Sequence, residues 1–556
     1  MSRHACYRCT RVFQALPNER RLDFSGFEEY PRQNAQQLRE VAFVYRDASS
    51  DHRKEIFREK GIRWTELARL SYLDLCRATV VDPMHNLFLG TARRILDRAW
   101  LNSEPPRITK SQIEEIQKAI DATPLPSDMG RIPLKVASGF ASFTADQWRT
   151  WTLVYSTLTL RNVLGEEDRR IWQDFVDAVS IWTQRIISVD EVDKGHQLMI
   201  HFLNGVQEQY GREIIAINMH MHIHLAECIL DCGPFYSFWC YAFEQMNGYV
   251  SMRTTICFRY INVLYYLSDL GSIRHSGRSM EVEVMHTLKN QITVQQATAT
   301  IGSTLPDELA KSLQLLRGHI NFSKGTLSHY NFRTEDVLRF RSMTNDLIDK
   351  TVTGTEEYPG EILPRFYDSR LGDNVIKFLL AFYERVYGNG GLTFHSEETA
   401  RSDDKDILVS STAMRASRLR IGDEYFGSLL SRSEHSSYVI GAFLNEENDL
   451  LYWPGQVRFF FVHKLRLPMP DGWETREHHF AFVEWFQQHE RCNHFNVASR
   501  MQQSQELWNS LLVPHNVECI LPVQRIAGRF VKATYHLPRT ERDLIAVIPI
   551  NRKLVL

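Results

Sequence analysis

The chain has 556 residues, of which 43% are hydrophobic and 24% charged, the balance of a globular protein that buries cores, and its length corresponds to roughly three or four domains. A net charge of -2 argues against a basic footprint along the whole chain, although Arg415-Ala-Ser-Arg418-Leu-Arg420 is a local basic stretch. The start MSRHACYRCTRVF lacks an apolar signal core, and the most apolar window, Ile256 to Leu270, is interrupted by Arg259, so a soluble, intracellular protein without a membrane span is expected.

Residues 1–80 are polar and rich in charge, with aromatic anchors in Asp23-Phe24-Ser25-Gly26-Phe27 and an amphipathic helix expected over 51–60. Cys6-Tyr7-Arg8-Cys9 has the spacing with which a turn presents two thiolates to one zinc ion; the other cysteines are scattered, as in a reduced protein. From Asp82 to about Asp190 apolar residues recur at three and four positions, which predicts helices with a break between Thr123 and Gly130. The first of these opens on Asp82-Pro-Met-His85. An Asp cap followed by Pro at the first helical position suits a helix start, and Met84, Leu87, Phe88, Ala92, Ile95 and Leu96 form its apolar stripe. The plainer reading of His85 is a packed, hydrogen-bonded side chain one turn from Leu89; a metal-binding role for Asp82 and His85 stays open beside it.

Helical character continues through 196–232, including Asn218-Met-His220-Met-His222-Ile-His224. On a helix His220 and His224 share a face, which is how two imidazoles reach one metal, and His222 points away. Alone, such a helix reads more readily as solvated surface. Together with Cys6 and Cys9 the pair completes a closed tetrahedral Cys2His2 site, structural rather than catalytic. Gly233-Pro234 breaks the chain before a helix over 239–250, in which Glu244 is a single carboxylate among aromatic residues: either a buried functional acid or a residue on a solvent face. Helices are expected over 282–350, and 351–415 reads as linker around a short helix at 374–387. Short β-branched and aromatic runs then predict a β-rich barrel or sandwich over 416–556, with Trp453, Phe459, Phe460, Phe461 and Trp485 as core residues rather than a ligand cage. The fold class expected is multidomain α+β, mostly helical over the N-terminal two-thirds.

SRHACYRC, DFSGF, VVDPMHNLFLGTARRIL, NMHMHIHL, GPFYSFWCYAFEQMNGY, RSMEVEVM and ILPVQRIAGRF resemble, in the same order, blocks of CACTA-type (En/Spm) DDE transposases. The resemblance implies an RNase H-like core with a helical insertion, structural Zn2+ on Cys6, Cys9, His220 and His224, and Glu244 as the last acid of the triad. It also implies Mg2+ or Mn2+ in intact members, transposon-end DNA and other transposase chains as partners, no small-molecule substrate, and a nuclear location. Asp82 and His85 match a family D-x-x-H element. The family's two catalytic aspartates lie ahead of the CxxC, where this sequence has only Met1 to Ala5, so an enzyme that has lost DNA cleavage and strand transfer is expected. The alternative is a non-enzymatic nuclear DNA-binding or scaffold protein. Residues 250–270 interrupt the family pattern and read as translated intron or as an additional helix.

Overall fold

The computed structural model describes residues 3–126, 129, 132, 140, 143–184, 187–241, 244, 351–363, 367–388, 391–397, 406–421, 424–444, 450–470, 472–495, 505–537 and 543–550. They belong to two units, Met1–Trp239 with Thr334–Leu556, and Cys240–Arg333. The helices expected over 282–350 and the 250–270 segment lie outside the described residues.

The N-terminal part of the first unit is helical. Ala35–Asp47, capped by Asn34, is followed by Ser50–Lys60, which matches the helix expected there and ends on Gly61 in the left-handed region. The helix at 84–101 starts as its sequence predicts: Asp82 accepts the Met84 and His85 backbone N–H groups at 3.2 and 3.0 Å. Its turns are wider than those of an α-helix, of the π type over Met84–Ala92 and again over Ile95–Leu101. The six stripe residues are all buried, and Thr91, Ala99 and Trp100 join them. Helices Glu166–Trp182 and Val189–Tyr210 form the other wall. Between the walls lies an aromatic core of Trp100, Trp148, Trp151, Trp172, Phe175 and Phe202, with ring centroids 4.8–5.7 Å apart in edge and tilted pairs.

The C-terminal part is β-rich, as expected, and starts earlier than the sequence suggests. Its strands are β1 (Gly360–Ile362), β2 (Tyr367–Arg370), β3 (Thr393–Ser396), β4 (Asp406–Val409), β5 (Thr412–Ala416), β6 (Arg418–Ile421), β7 (Glu424–Gly427), β8 (Tyr438–Leu444), β9 (Leu450–Met469), β10 (Gly472–Gln488), β11 (Glu506–Leu512), β12 (Ile520–Pro522), β13 (Ile526–Tyr535) and β14 (Leu544–Ile550). Antiparallel pairing runs β8–β9–β10–β11–β14–β13 and back to β8, which closes a ring. The hairpin β9–β10 is longer than the ring is tall. Beyond a register shift between Phe482 and Val483 it continues as an open sheet, edged by β5 and β2 on one side and β12 on the other.

Residues 351–415 are therefore no linker. They supply β1 to β4, most of β5 and the helix Asp373–Tyr387, whose Val375, Ile376, Leu379, Phe382 and Tyr383 enter the same core as Phe460, Phe461 and Phe480. Gly and Pro mark chain reversals, and in a β domain these occur within the fold as readily as between folds. Phe459, Phe460, Phe461 and Trp485 are buried, as core residues should be, and the half-buried Trp453 donates its indole N–H to Phe486 O at 2.7 Å. Gln505 Nε2 donates to Val154 O at 3.2 Å, and Tyr535 lies 3.4 Å from Asn162 Oδ1, tying the β part to the helical part. Among the described residues no helix is long and apolar enough to cross a membrane.

Candidate metal centre

Cys6 and Cys9 lie on the turn that opens the described chain, and His220 and His224 more than two hundred residues later. The Cys6 Sγ–His224 Nε2 and Cys9 Sγ–His220 Nε2 distances are both 3.4 Å. All four donor atoms lie within 4.8 Å of one another, and all four side chains are buried. Around a tetrahedral ion with bonds of about 2.3 Å to sulfur and about 2.0 Å to nitrogen, a sulfur–nitrogen edge spans about 3.5 Å, so the four donors can hold a metal ion.

The two histidines do not sit on one regular α-helix. Ile217–Met221 is α-helical, His222–His224 tightens to a 3-10 turn, and Leu225–Cys232 resumes the α-helix. The rings of His220 and His224 still meet, with centroids 5.4 Å apart. His222 turns the other way, as the spacing predicts, into the core. Its Nε2 lies 2.9 Å from the Thr91 hydroxyl and its Nδ1 3.0 Å from Met199 Sδ, and burial pulls its pKa down to about 3. It is a neutral structural histidine.

The electrostatics favour an anionic sulfur at Cys6 and a neutral imidazole at His220. Cys6 Sγ accepts the backbone N–H groups of Arg8 and Cys9, each at 3.4 Å. The Cys9 thiol is the largest influence holding Cys6 as a thiolate, lowering its pKa to about 2, and the proton shared within the pair raises that of Cys9. Burial lowers the pKa of His220. Burial opposes a charge on His224 as well, but hydrogen bonding to Cys6 and Glu227 outweighs it and raises the pKa. Glu227 Oε1 lies 3.2 Å from His224 Nδ1 and so fixes the tautomer that leaves Nε2 free for a metal.

Arg8, between the two thiols in sequence, is fully buried. It donates to Cys76 O, Thr79 O, Asp231 and Glu227 at 2.9–3.4 Å; Arg32 also pairs with both carboxylates, and Arg77 with Asp231. This network docks the CxxC turn on the helix that follows the histidines. Nothing in the sequence pattern singled out Arg8; a charged residue inside a metal-binding turn next to i, i+4 acids on a distant helix was its only signal.

The Asp82-Pro-Met-His85 block packs against the histidine segment. Asn86 Nδ2 donates to Asn218 O at 3.1 Å, and a Cβ at Gly90 would fall 2.4 Å from Asn218 Nδ2 and 2.9 Å from His85 O. Gly90→Ala is therefore expected to destabilise the helical part by about 1–3 kcal/mol, the usual range for overpacking, read as a lower denaturation midpoint. His85 is half-exposed, with Nδ1 2.5 Å from Asp82 Oδ2. Asp82 thus caps the helix and orients His85. Glu244 belongs to the second unit; it is helical and exposed, with its N–H bonded to Cys240 O at 2.9 Å.

No protein-family model, curated protein or solved structure matches the chain.

Proposed function

We propose that this protein derives from a CACTA-type transposase, that the ion held by Cys6, Cys9, His220 and His224 is zinc in a closed structural site, and that the chain does not cleave DNA by itself. The observation that carries the reading is the meeting of CxxC and His-x-x-x-His, 218 residues apart at Cys6 and His224, in one buried four-donor cluster. Zinc suits two thiolates and two imidazoles, and four protein ligands leave no position for substrate. A remnant of an RNase H-like core, Glu244 as its last acid, transposon-end DNA and other transposase chains as partners, and a nuclear location belong to the same proposal.

Loss of cleavage is supported by the use made of the nearest alternative carboxylates. Asp23 accepts from Ser25 N and pairs with Arg212, Asp74 caps the turn at Cys76 and Arg77, and Asp82 caps Met84 and His85. Two-metal phosphoryl chemistry requires carboxylates that bridge ions about 4 Å apart, not carboxylates already committed to backbone N–H groups.

The test uses the full chain with end-labelled duplex DNA and Mg2+ or Mn2+. The expected results are about one zinc per chain, DNA retention that weakens as salt rises, and no nicking. Zinc-free protein with no affinity for DNA would overturn the ancestry. Nicking that disappears in Glu244→Gln would overturn the loss of cleavage.

A further inference from the structure

A cavity of about 660 Å3 lies in the β part, far larger than a packing defect and within the size range of small-ligand sites. Its walls come from the helix Asp373–Tyr387, from β8, β9 and β10, and from the chain around β12. Phe382, Phe443, Trp453 and Trp485 give it an aromatic wall, and Leu444 and Leu521 add aliphatic surface. Phe443 stands edge-on to Trp485, with ring centroids 5.0 Å apart. Trp485 has room because Gly441 and Gly455 carry no Cβ: one on either glycine would fall 2.5 Å from its ring.

The polar groups of the lining determine the chemistry of the occupant, because they are already engaged. Trp453 donates its indole N–H to Phe486 O at 2.7 Å and Trp485 to Glu518 O at 2.9 Å, so both rings offer only apolar surface. Asn516 Oδ1 accepts the Glu518 N–H at 2.9 Å. Arg385 is paired with Glu518 at 2.6 Å. Arg525 has a partner of its own and feels the Glu356 carboxylate. Each guanidinium of the lining is thus set against a carboxylate, and no charge is left over for a guest. An anion would have to draw Arg385 away from Glu518. A methylated ammonium, the usual guest of an aromatic cage, would meet two guanidinium groups here. Either ion would give up hydration without gaining a counter-charge, whereas an uncharged guest gains about 25 cal/mol for each Å2 of apolar surface it buries.

We propose that this cavity binds an uncharged, largely apolar ring compound, its flat body lying against Phe443, Trp453 and Trp485. Aromatic pairing with the wall supplies the orientation, and the internally paired charges supply the selection against ions. This site is independent of the metal centre and of the transposase reading.

Titration calorimetry of the full chain at neutral pH with three probes of similar shape tests the proposal on the unmodified protein: quinoline, which is uncharged, the cation 1-methylquinolinium, and the anion quinoline-6-carboxylate. Quinoline is expected to bind one per chain with a Kd of about 1 mM or tighter, a bound set by its size. Each ion is expected to bind about tenfold more weakly, because its charge enters without a counter-charge. Phe443→Ala, which removes part of the wall, should weaken quinoline binding by about tenfold, in line with the loss of a buried aromatic contact. No saturable binding of quinoline, an ion that binds as tightly as quinoline, or unchanged affinity in Phe443→Ala would overturn the proposal.

Discussion

Cys9→Ser protein is expected to retain no stoichiometric zinc and to lose the attachment of its N-terminal segment to the helical part. A serine hydroxyl at neutral pH is no substitute for a thiolate, so the site falls to three donors. A closed zinc site contributes roughly 10 kcal/mol or more to the folding of a small metal domain. With zinc bound by these four donors, that energy would go into one long-range connection, because Cys6 and Cys9 reach His224 and His220 across 218 and 211 residues. The expected consequences are local. Protease cleavage should appear within residues 3–33, the segment that the four-donor cluster and the Arg8 network tie to the helical part, while the barrel keeps its resistance. Cys76→Ser is the control: Cys76 is equally buried, but its Sγ donates to Gln33 O at 3.2 Å, a bond that serine can reproduce, and it stands outside the four-donor cluster. Elemental analysis and limited proteolysis of the two variants decide the matter. Full zinc content in Cys9→Ser would rule the assigned ligands out.

The metal cluster was legible in the sequence because ligand chemistry admits few residue types. Neither the CxxC turn nor the His-x-x-x-His pair decides the matter alone, but together they supply four donors, and the irregular turn at His222–His224 leaves both rings able to meet. The helix start at Asp82-Pro83 was legible for a similar reason, since capping is decided within a few residues. The widening of that helix over 84–101 was not. The stripe Met84, Leu87, Phe88, Ala92, Ile95 and Leu96 fits an α-helix nearly as well as a π-type one, so the apolar pattern alone does not distinguish them.

The same limit applies to the C-terminal part. Strand patterns pointed to a β-rich region over 416–556 but could not announce that the Gly- and Pro-punctuated stretch before it belongs to the same core. The apolar positions of the helix Asp373–Tyr387 at 375, 376, 379, 382 and 383 carried that information, because a linker helix has no need of a buried face. Polar residues inside strands concealed the rest. His463 and His478 sit directly opposite each other on β9 and β10, and both are fully buried. Each is bound by a tyrosine of the covering helix, Tyr383 to His463 Nδ1 and Tyr387 to His478 Nε2, both at 2.9 Å.

Those two histidines make the β part sensitive to acid. Burial is the leading cause that pulls each pKa from about 6.5 down to about 4. His463 is neutral, with Nε2 donating to Ser410 O at 3.1 Å and Nδ1 left to accept from Tyr383. In the unfolded chain both histidines take up a proton as the pH falls through about 6.5, whereas in the folded chain they resist until about 4. Their stabilisation is therefore complete above pH 6.5 and is lost progressively as the pH falls between these values, by about 2 kcal/mol per histidine between pH 7 and pH 4.5. Metal loss in acid would destabilise the helical part as well, so the readout has to be local: hydrogen exchange of peptides within 459–482, corrected for intrinsic rate. Protection there is expected to drop between pH 7 and pH 4.5 in the native protein and to drop less in His478→Gln. Tyr383→Phe, which removes a hydrogen bond but no titrating histidine, should lower protection by a similar amount at both pH values, by about 1 kcal/mol or somewhat more for a buried acceptor left unpaired. Protection that does not change with pH would mean that His463 and His478 are not held neutral by the fold.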